Sequence, residues 1–269
     1  MPRAEINGAE LSYELAGDGP AVVLVHEGVC DLRMWDELAP VLAREFTMLR
    51  YDLRGYGDST LPPGPFSQNS DLLELMDHTG IEQAALVGVS YGGRVSLDTA
   101  FVAPDRITAL ILASPGLRDH EWSRGVAEFG DEEERLLDAG EIAAATDLNV
   151  RLWVDGPKRG PDAEREDVRE RVRVMQQRAF EIQVAAYETQ PPPGPEEPVN
   201  LRLDEVTAPA LVIVGDADVP DFPEIADRLE RELPNARKVV LADTAHTIPL
   251  ERPDEFRELT LEFLRERLL

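Results

Sequence analysis

The chain has 269 residues, enough for one large domain with a sizeable core or for a core domain carrying an insertion. Hydrophobic residues make up 43% and charged residues 30%, the balance of a soluble globular protein, and no apolar run is long enough to span a bilayer. A net charge of −26 with no clustered basic residues excludes nucleic acid and anionic membrane surfaces as expected partners.

No apolar stretch of the signal-peptide kind follows Met1-Pro2-Arg3-Ala4-Glu5, so a cytoplasmic location is expected. The single cysteine, Cys30, rules out an internal disulfide and most thiolate–metal sites. No metal or organic cofactor is expected. Lysine occurs only at Lys158 and Lys238, and arginine supplies the remaining basic residues. A GC-rich genome accounts for this; adaptation to high salt, with an acidic surface maintaining solubility, is the second reading.

In chain order, Glu5-Ile6-Asn7-Gly8-Ala9-Glu10 predicts a hairpin with an Asn-Gly turn. Strands are predicted at Ala21–Val25 and Phe46–Tyr51, with a helix over 32–44 between them. A turn at 52–58 leads to a helix over 67–79. The run Ala84-Ala85-Leu86-Val87-Gly88-Val89 meets Ser90 and then a helix to Val102, and further strands are predicted at 107–112, 210–214 and 238–241. Short apolar, β-branched runs alternating with helices predict an α/β fold, a mostly parallel twisted sheet with helices on both faces. The rhythm breaks over residues 117–200, which are charged and helical and include a long amphipathic stretch from Glu164 to Tyr187. They close with the proline tract from Gln190 to Pro198, which is incompatible with a helix. The expected division is a core over 1–116 and 201–269 with a helical lid at 117–200.

Gly88-Val89-Ser90-Tyr91-Gly92-Gly93 joins a strand to a helix. A serine on that tight turn exposes its hydroxyl above the sheet, and glycines at 88 and 92 leave room for close backbones. The N–H of Tyr91, at the helix start, is suited to an oxyanion. A serine hydroxyl needs a base, and the candidates are His26, His78, His120 and His246. His78 reads as a surface residue, and His120 falls in the lid. His26 ends the first long strand and is better suited to holding the loop at 27–31. His246 follows the last strand at the carboxyl edge of the sheet, where functional groups of open α/β sheets gather, and is the best base. Asp218, in the loop after the penultimate strand, is the expected orienting carboxylate, and Asp216 the stabiliser of that turn.

His26-Glu27-Gly28, the run from Asp52 to Ser59, Gly88–Gly93, Gly215–Asp218 and His246 occur in the order found in the α/β-hydrolase family. The chain resembles that family over its whole length except the lid, and most resembles its small esterase and enol-lactonase group. The resemblance implies a triad of Ser90, Asp218 and His246, with backbone N–H groups of Gly28 and Tyr91 as the oxyanion hole. Glu27 stands where the family usually has glycine, and its side chain is expected to point away from the oxyanion. The Asp52–Ser59 run is expected to be structural, with Arg54 tying loops together.

These residues imply acyl transfer on a small neutral ester or lactone, with a mainly apolar pocket to which Trp122 and Trp153 of the lid are the candidate contributors. The same triad also serves carbon–carbon bond hydrolysis, thioester hydrolysis and peracid formation. A slow-turnover ligand sensor on this fold is a reading from a different class.

Overall fold

A computed structural model describes residues 1–160, 165–189 and 199–269 of the chain. Its centre is an eight-stranded sheet in the order β1-β2-β4-β3-β5-β6-β7-β8. The strands are β1 (Arg3–Ile6), β2 (Ala9–Ala16), β3 (Ala21–Val25), β4 (Thr47–Tyr51), β5 (Ala84–Val89), β6 (Ile107–Ala113), β7 (Ala210–Gly215) and β8 (Ala236–Leu241). β1 and β2 form an antiparallel edge, and every pairing from β4 through β8 is parallel. Asn7 and Gly8 both take positive φ, 46° and 80°, as a two-residue hairpin turn of the right twist requires.

The predicted strands are found, and β5 and β7 are buried along their whole length. Alternation along each strand sorts the core into two halves. Val23, Leu86 and Val212 pack on one face, with helices α2 (Gln68–His78), α3 (Tyr91–Val102) and α7 (Asp221–Glu232). Val22, Val87 and Ile213 pack on the other, with α1 (Ala39–Leu42) and α9 (Pro253–Leu268). Parallel strands buried on both faces place all their free carboxyl ends along one rim.

The helix predicted over 32–44 is interrupted. A 3₁₀ turn at Leu32–Trp35 is followed by the short α1, with Pro40 in its first turn. Proline lacks the N–H needed inside a helix but fits the first turn, so the chain restarts there. Helices α7 and α9 lie outside the predicted elements, as does the short α8 (Ile248–Glu251).

Between β6 and β7 the described residues contain no strand. They form α4 (Arg124–Asp138), α5 (Ile142–Asn149), a π-helical turn at Val150–Asp155 and α6 (Glu166–Thr189). This is the helical insertion of the fold. Val168, Val172 and Met175 of α6 join the same apolar cluster as Val29 and Met34 of the sheet domain, so the insertion is packed onto the core. The proline tract at 190–198 lies outside the described residues. Among the described residues no helix is long and apolar enough to cross a membrane.

Candidate active site

Ser90 follows β5 directly and precedes α3. Its backbone is held at φ 50° and ψ −113°, a region that costs a non-glycine residue about 1–3 kcal/mol. Neighbouring strands and loops hold it there: its N–H donates to Ala113 O at 2.9 Å, and its carbonyl accepts from Arg94 and Gly116 N–H, both at 3.0 Å. The sharp turn requires the glycines. A Cβ at Gly92 would run into the carbonyl oxygens of Val25 and His26, and one at Gly88 into the carbonyl of Gly92. Tyr91 is the first residue of α3, a position whose N–H the helical ladder does not use. A Cβ placed on Gly28 would lie 3.7 Å from Cβ of Tyr91, so the two expected oxyanion donors belong to neighbouring residues.

His246 and Asp218 meet across the adjoining loops, with Nδ1 of the ring 2.9 Å from Oδ2 of the carboxylate. The other carboxylate oxygen, Oδ1, accepts the N–H of Val219 at 2.7 Å. Both side chains are almost fully buried. The loop carrying the histidine is tied at several points. Asp243 N–H donates to Asp216 Oδ1 at 2.7 Å, so the Asp216 side chain ties the loop after β8 to the loop after β7. Ala245 N–H donates to Glu251 Oε2, and Arg159 of the insertion binds both Glu251 and the carbonyl of Asp243. The N–H of His246 donates to the carbonyl of Trp153, in the π-helical turn. The imidazole packs between the rings of Phe222 and Trp153, with centroids at 4.2 and 4.7 Å. Burial pushes its pKa down, but Asp218 and Glu27 outweigh burial and hold it above the usual 6.5.

Ser90 and His246 line one cavity of about 230 Å³, with Glu27, Gly28 and Trp153 also in its wall. A second hollow, about 480 Å³, opens on the other side of Ser90, and Trp122 and Trp153 both line it. Trp122 is 41% exposed and packs on His120 and Phe222, while Trp153 reaches both hollows. The remaining histidines are accounted for. His26 donates from Nδ1 to Glu27 O and accepts the Leu53 N–H at Nε2, so both nitrogens hold loops together. Its burial lowers its pKa to about 4. His78 lies exposed beside Tyr13, and His120 pairs with Asp221 at 3.1 Å. In the Asp52–Ser59 turn, Asp52 accepts from Leu32 and Asp58 N–H, and Arg54 clamps Asp71 with two bonds of 2.8 Å.

The model of the alpha/beta hydrolase fold family matches residues 20–253. The chain belongs to the α/β-hydrolase fold family. It is an enzyme, a hydrolase acting on a small molecule. Among solved structures it is similar to the enol-lactonase from Burkholderia xenovorans LB400, with a TM-score of 0.80 and 27% identity over 98% of this chain and all of that one. A thermophilic esterase from Thermogutta terrifontis, malate bound, is similar with a TM-score of 0.80 and 26% identity over the full length of both chains. Among curated relatives, the putative 2-succinyl-6-hydroxy-2,4-cyclohexadiene-1-carboxylate synthase of Bacillus subtilis is 28% identical over 94% of each chain.

In this α/β-hydrolase the insertion contributes polar groups that sequence reasoning missed. Asn149 donates to Glu133 and accepts the indole N–H of Trp153 at 3.0 Å, so a partly buried chain of bonds runs from α4 to the ring that packs on His246. Glu133 is pushed above the usual carboxylate range by burial. Gln183 of α6 reaches the carbonyl of Gly55 at 3.3 Å, joining the insertion to the Asp52–Ser59 turn. Glu133 was masked by the acidic run at 131–134 in which it lies. Glu27 is also tied down within its own loop. Its Oε1 accepts the Cys30 thiol at 3.1 Å, and its carboxyl is fully buried within the field of His246 and Asp218. Among the described residues, no group of side chains is arranged to hold a metal ion.

Proposed function

We propose that this hydrolase cleaves a small neutral ester or lactone through an acyl-enzyme on Ser90. The reading is carried by the strained Ser90 turn opening into the same cavity as a buried His246–Asp218 pair. Ser90 attacks the carbonyl carbon while His246 takes the hydroxyl proton. Asp218 keeps the ring in the tautomer that leaves Nε2 free to accept, and stabilises the imidazolium that forms. The backbone N–H groups of Gly28 and Tyr91 receive the oxyanion. His246 then protonates the leaving oxygen and activates water to release the acid. The insertion serves as a lid, with Trp153 and Trp122 shaping the two sides of the pocket.

Charge favours a neutral substrate. The smaller cavity has Glu27 and Glu133 in its wall, and among the described residues lining it none is lysine or arginine. Arg94 and Arg118 line the larger hollow, but both bond to Asp98. The similarity to an enol-lactonase and an esterase supports an ester or lactone as the bond cleaved.

The test is labelling with a fluorophosphonate followed by turnover of p-nitrophenyl esters graded by acyl length. Ser90 is expected to carry the label, and Ser90→Ala to lose about 10⁶-fold in kcat. Near-wild-type turnover by Ser90→Ala would remove the mechanism. A single slow burst in the wild type, without sustained turnover, would favour a ligand sensor.

A further inference from the structure

Glu27 is the buried acid that the serine mechanism leaves unused. It occupies the residue immediately before Gly28, in the wall of the cavity that also holds Ser90 and His246. One carboxyl oxygen takes the Cys30 thiol, while Oε2 is buried with no hydrogen-bond partner among the described residues. A buried carboxyl oxygen without a donor is costly when ionised, and natural proteins retain such groups at sites of function. Cys30 is no competing nucleophile, because burial and the adjacent Glu27 hold its thiol well above the usual range.

We propose that Glu27 is a positioning residue that acts through His246: its carboxyl and the imidazole share one proton, and the charge on Glu27 sets how readily His246 accepts the proton of Ser90. This rests on the serine-hydrolase reading above. With the proton on Glu27 the imidazole is neutral and can act as a base. With the proton on His246, an imidazolium faces two carboxylates, Asp218 and Glu27, and cannot. The two arrangements hold the same number of protons and the same net charge, so the pair titrates as a unit.

Burial foremost, with Asp218, raises Glu27 to about 7 against the downward pull of His246 and the Cys30 thiol. Glu27 in turn is one of the two carboxylates holding the imidazole above 6.5. The ionisable groups around Glu27 are His246 from the loop after β8, Asp218 from the loop after β7, His26, Cys30 and Asp31 on its own loop, Tyr56 from the loop after β4, Glu133 from α4, and Arg171 of α6, whose charge reaches the Cys30 thiol. Among the described residues lining the cavity there is no lysine or arginine to neutralise Glu27, which leaves the imidazolium as its counter-charge.

Replacing Glu27 by glutamine keeps the shape and removes the charge. The sign follows: losing a carboxylate that favours the imidazolium lowers the pH at which His246 gives up its proton. In Glu27→Gln the acid limb of kcat/KM is therefore expected about one pH unit or more lower than in the wild type. The direct measurement is an NMR titration of the ¹³C-labelled imidazole, with the His246 signal identified by its loss in His246→Asn. The wild-type His246 signal is expected to move in two steps, one coinciding with the titration of the ¹³C-labelled Glu27 carboxyl, and the variant signal in one step at lower pH. An unchanged His246 titration in Glu27→Gln overturns the proposal. If that variant does not fold, a wild-type Glu27 that titrates without moving the His246 signal overturns it equally. The titration needs no turnover. A protein in which Ser90 is unlabelled and inert but the two signals move together would lose the hydrolytic mechanism and keep the shared proton. Intact Ser90 labelling with an unchanged His246 signal would do the reverse.

Discussion

His26 shows how a single side chain can be fully committed to the fold while lying next to the chemistry. Both ring nitrogens are bonded within the protein, one donating and one accepting, which requires the neutral ring. Folding depresses its pKa from 6.5 to about 4. For a group that is harder to protonate when folded, the contribution to stability is complete above pH 6.5 and is lost as the pH falls from there toward 4, by at most about 3 kcal/mol. Denaturant melts between pH 7 and 4 are expected to show the wild type losing stability more steeply than His26→Asn. Parallel curves would mean that the ring is not held neutral. Ser90 obeys a related logic: its unfavourable backbone angles persist because β6, the loop that follows it and α3 over-determine them through one hydrogen bond each.

At the scale of elements, the π-helical turn at Val150–Asp155 brings the insertion to the histidine. Asn149, at its entrance, binds Glu133, Ala145 O and the indole of Trp153. Asn149→Ala leaves a partly buried indole N–H and a partly buried carboxyl without that partner, at an expected cost of about 0.5–1.5 kcal/mol in thermal or denaturant unfolding. A neutral substitution would mean that this chain of bonds does not hold the turn. The sequence did not reveal the turn, because the extra residue shifts the apolar face by about 100° over only a short stretch, which reads as irregular spacing. β5 and Ser90 were legible to the residue, since an unbroken apolar run ends at a glycine-flanked serine, and the helix that follows was placed to about its observed end at Val102. The helix expected over 32–44 was misjudged because its apolar spacing outweighed the restart imposed by Pro40. The coupling of Glu27 to His246 was invisible for a different reason. Both residues stood in recognisable runs, but the coupling depends on two distant segments meeting at one rim, which neither run encodes.

Across the whole molecule, electrostatics is governed by a net charge of −26. Arginines are paired with carboxylates over much of the surface, as in Arg228 with Asp119 and Arg265 with Glu45. Such exposed pairs contribute little each, so the excess of like charge decides the response to salt. The melting temperature is expected to rise as NaCl increases from about 10 mM to about 150 mM, where the screening length falls from about 30 Å to about 8 Å, and then to level off. A rise that continued into molar salt would instead mark adaptation to brine. The backbone bond from His246 N–H to the Trp153 carbonyl has a consequence on this scale too. Swinging the roof of the pocket wide at that point would break the bond or drag the imidazole along with it. The π-helical turn and the proposed proton acceptor are thus mechanically linked, and a guest bulky enough to push that turn outward would disarm the machinery in the act of being admitted.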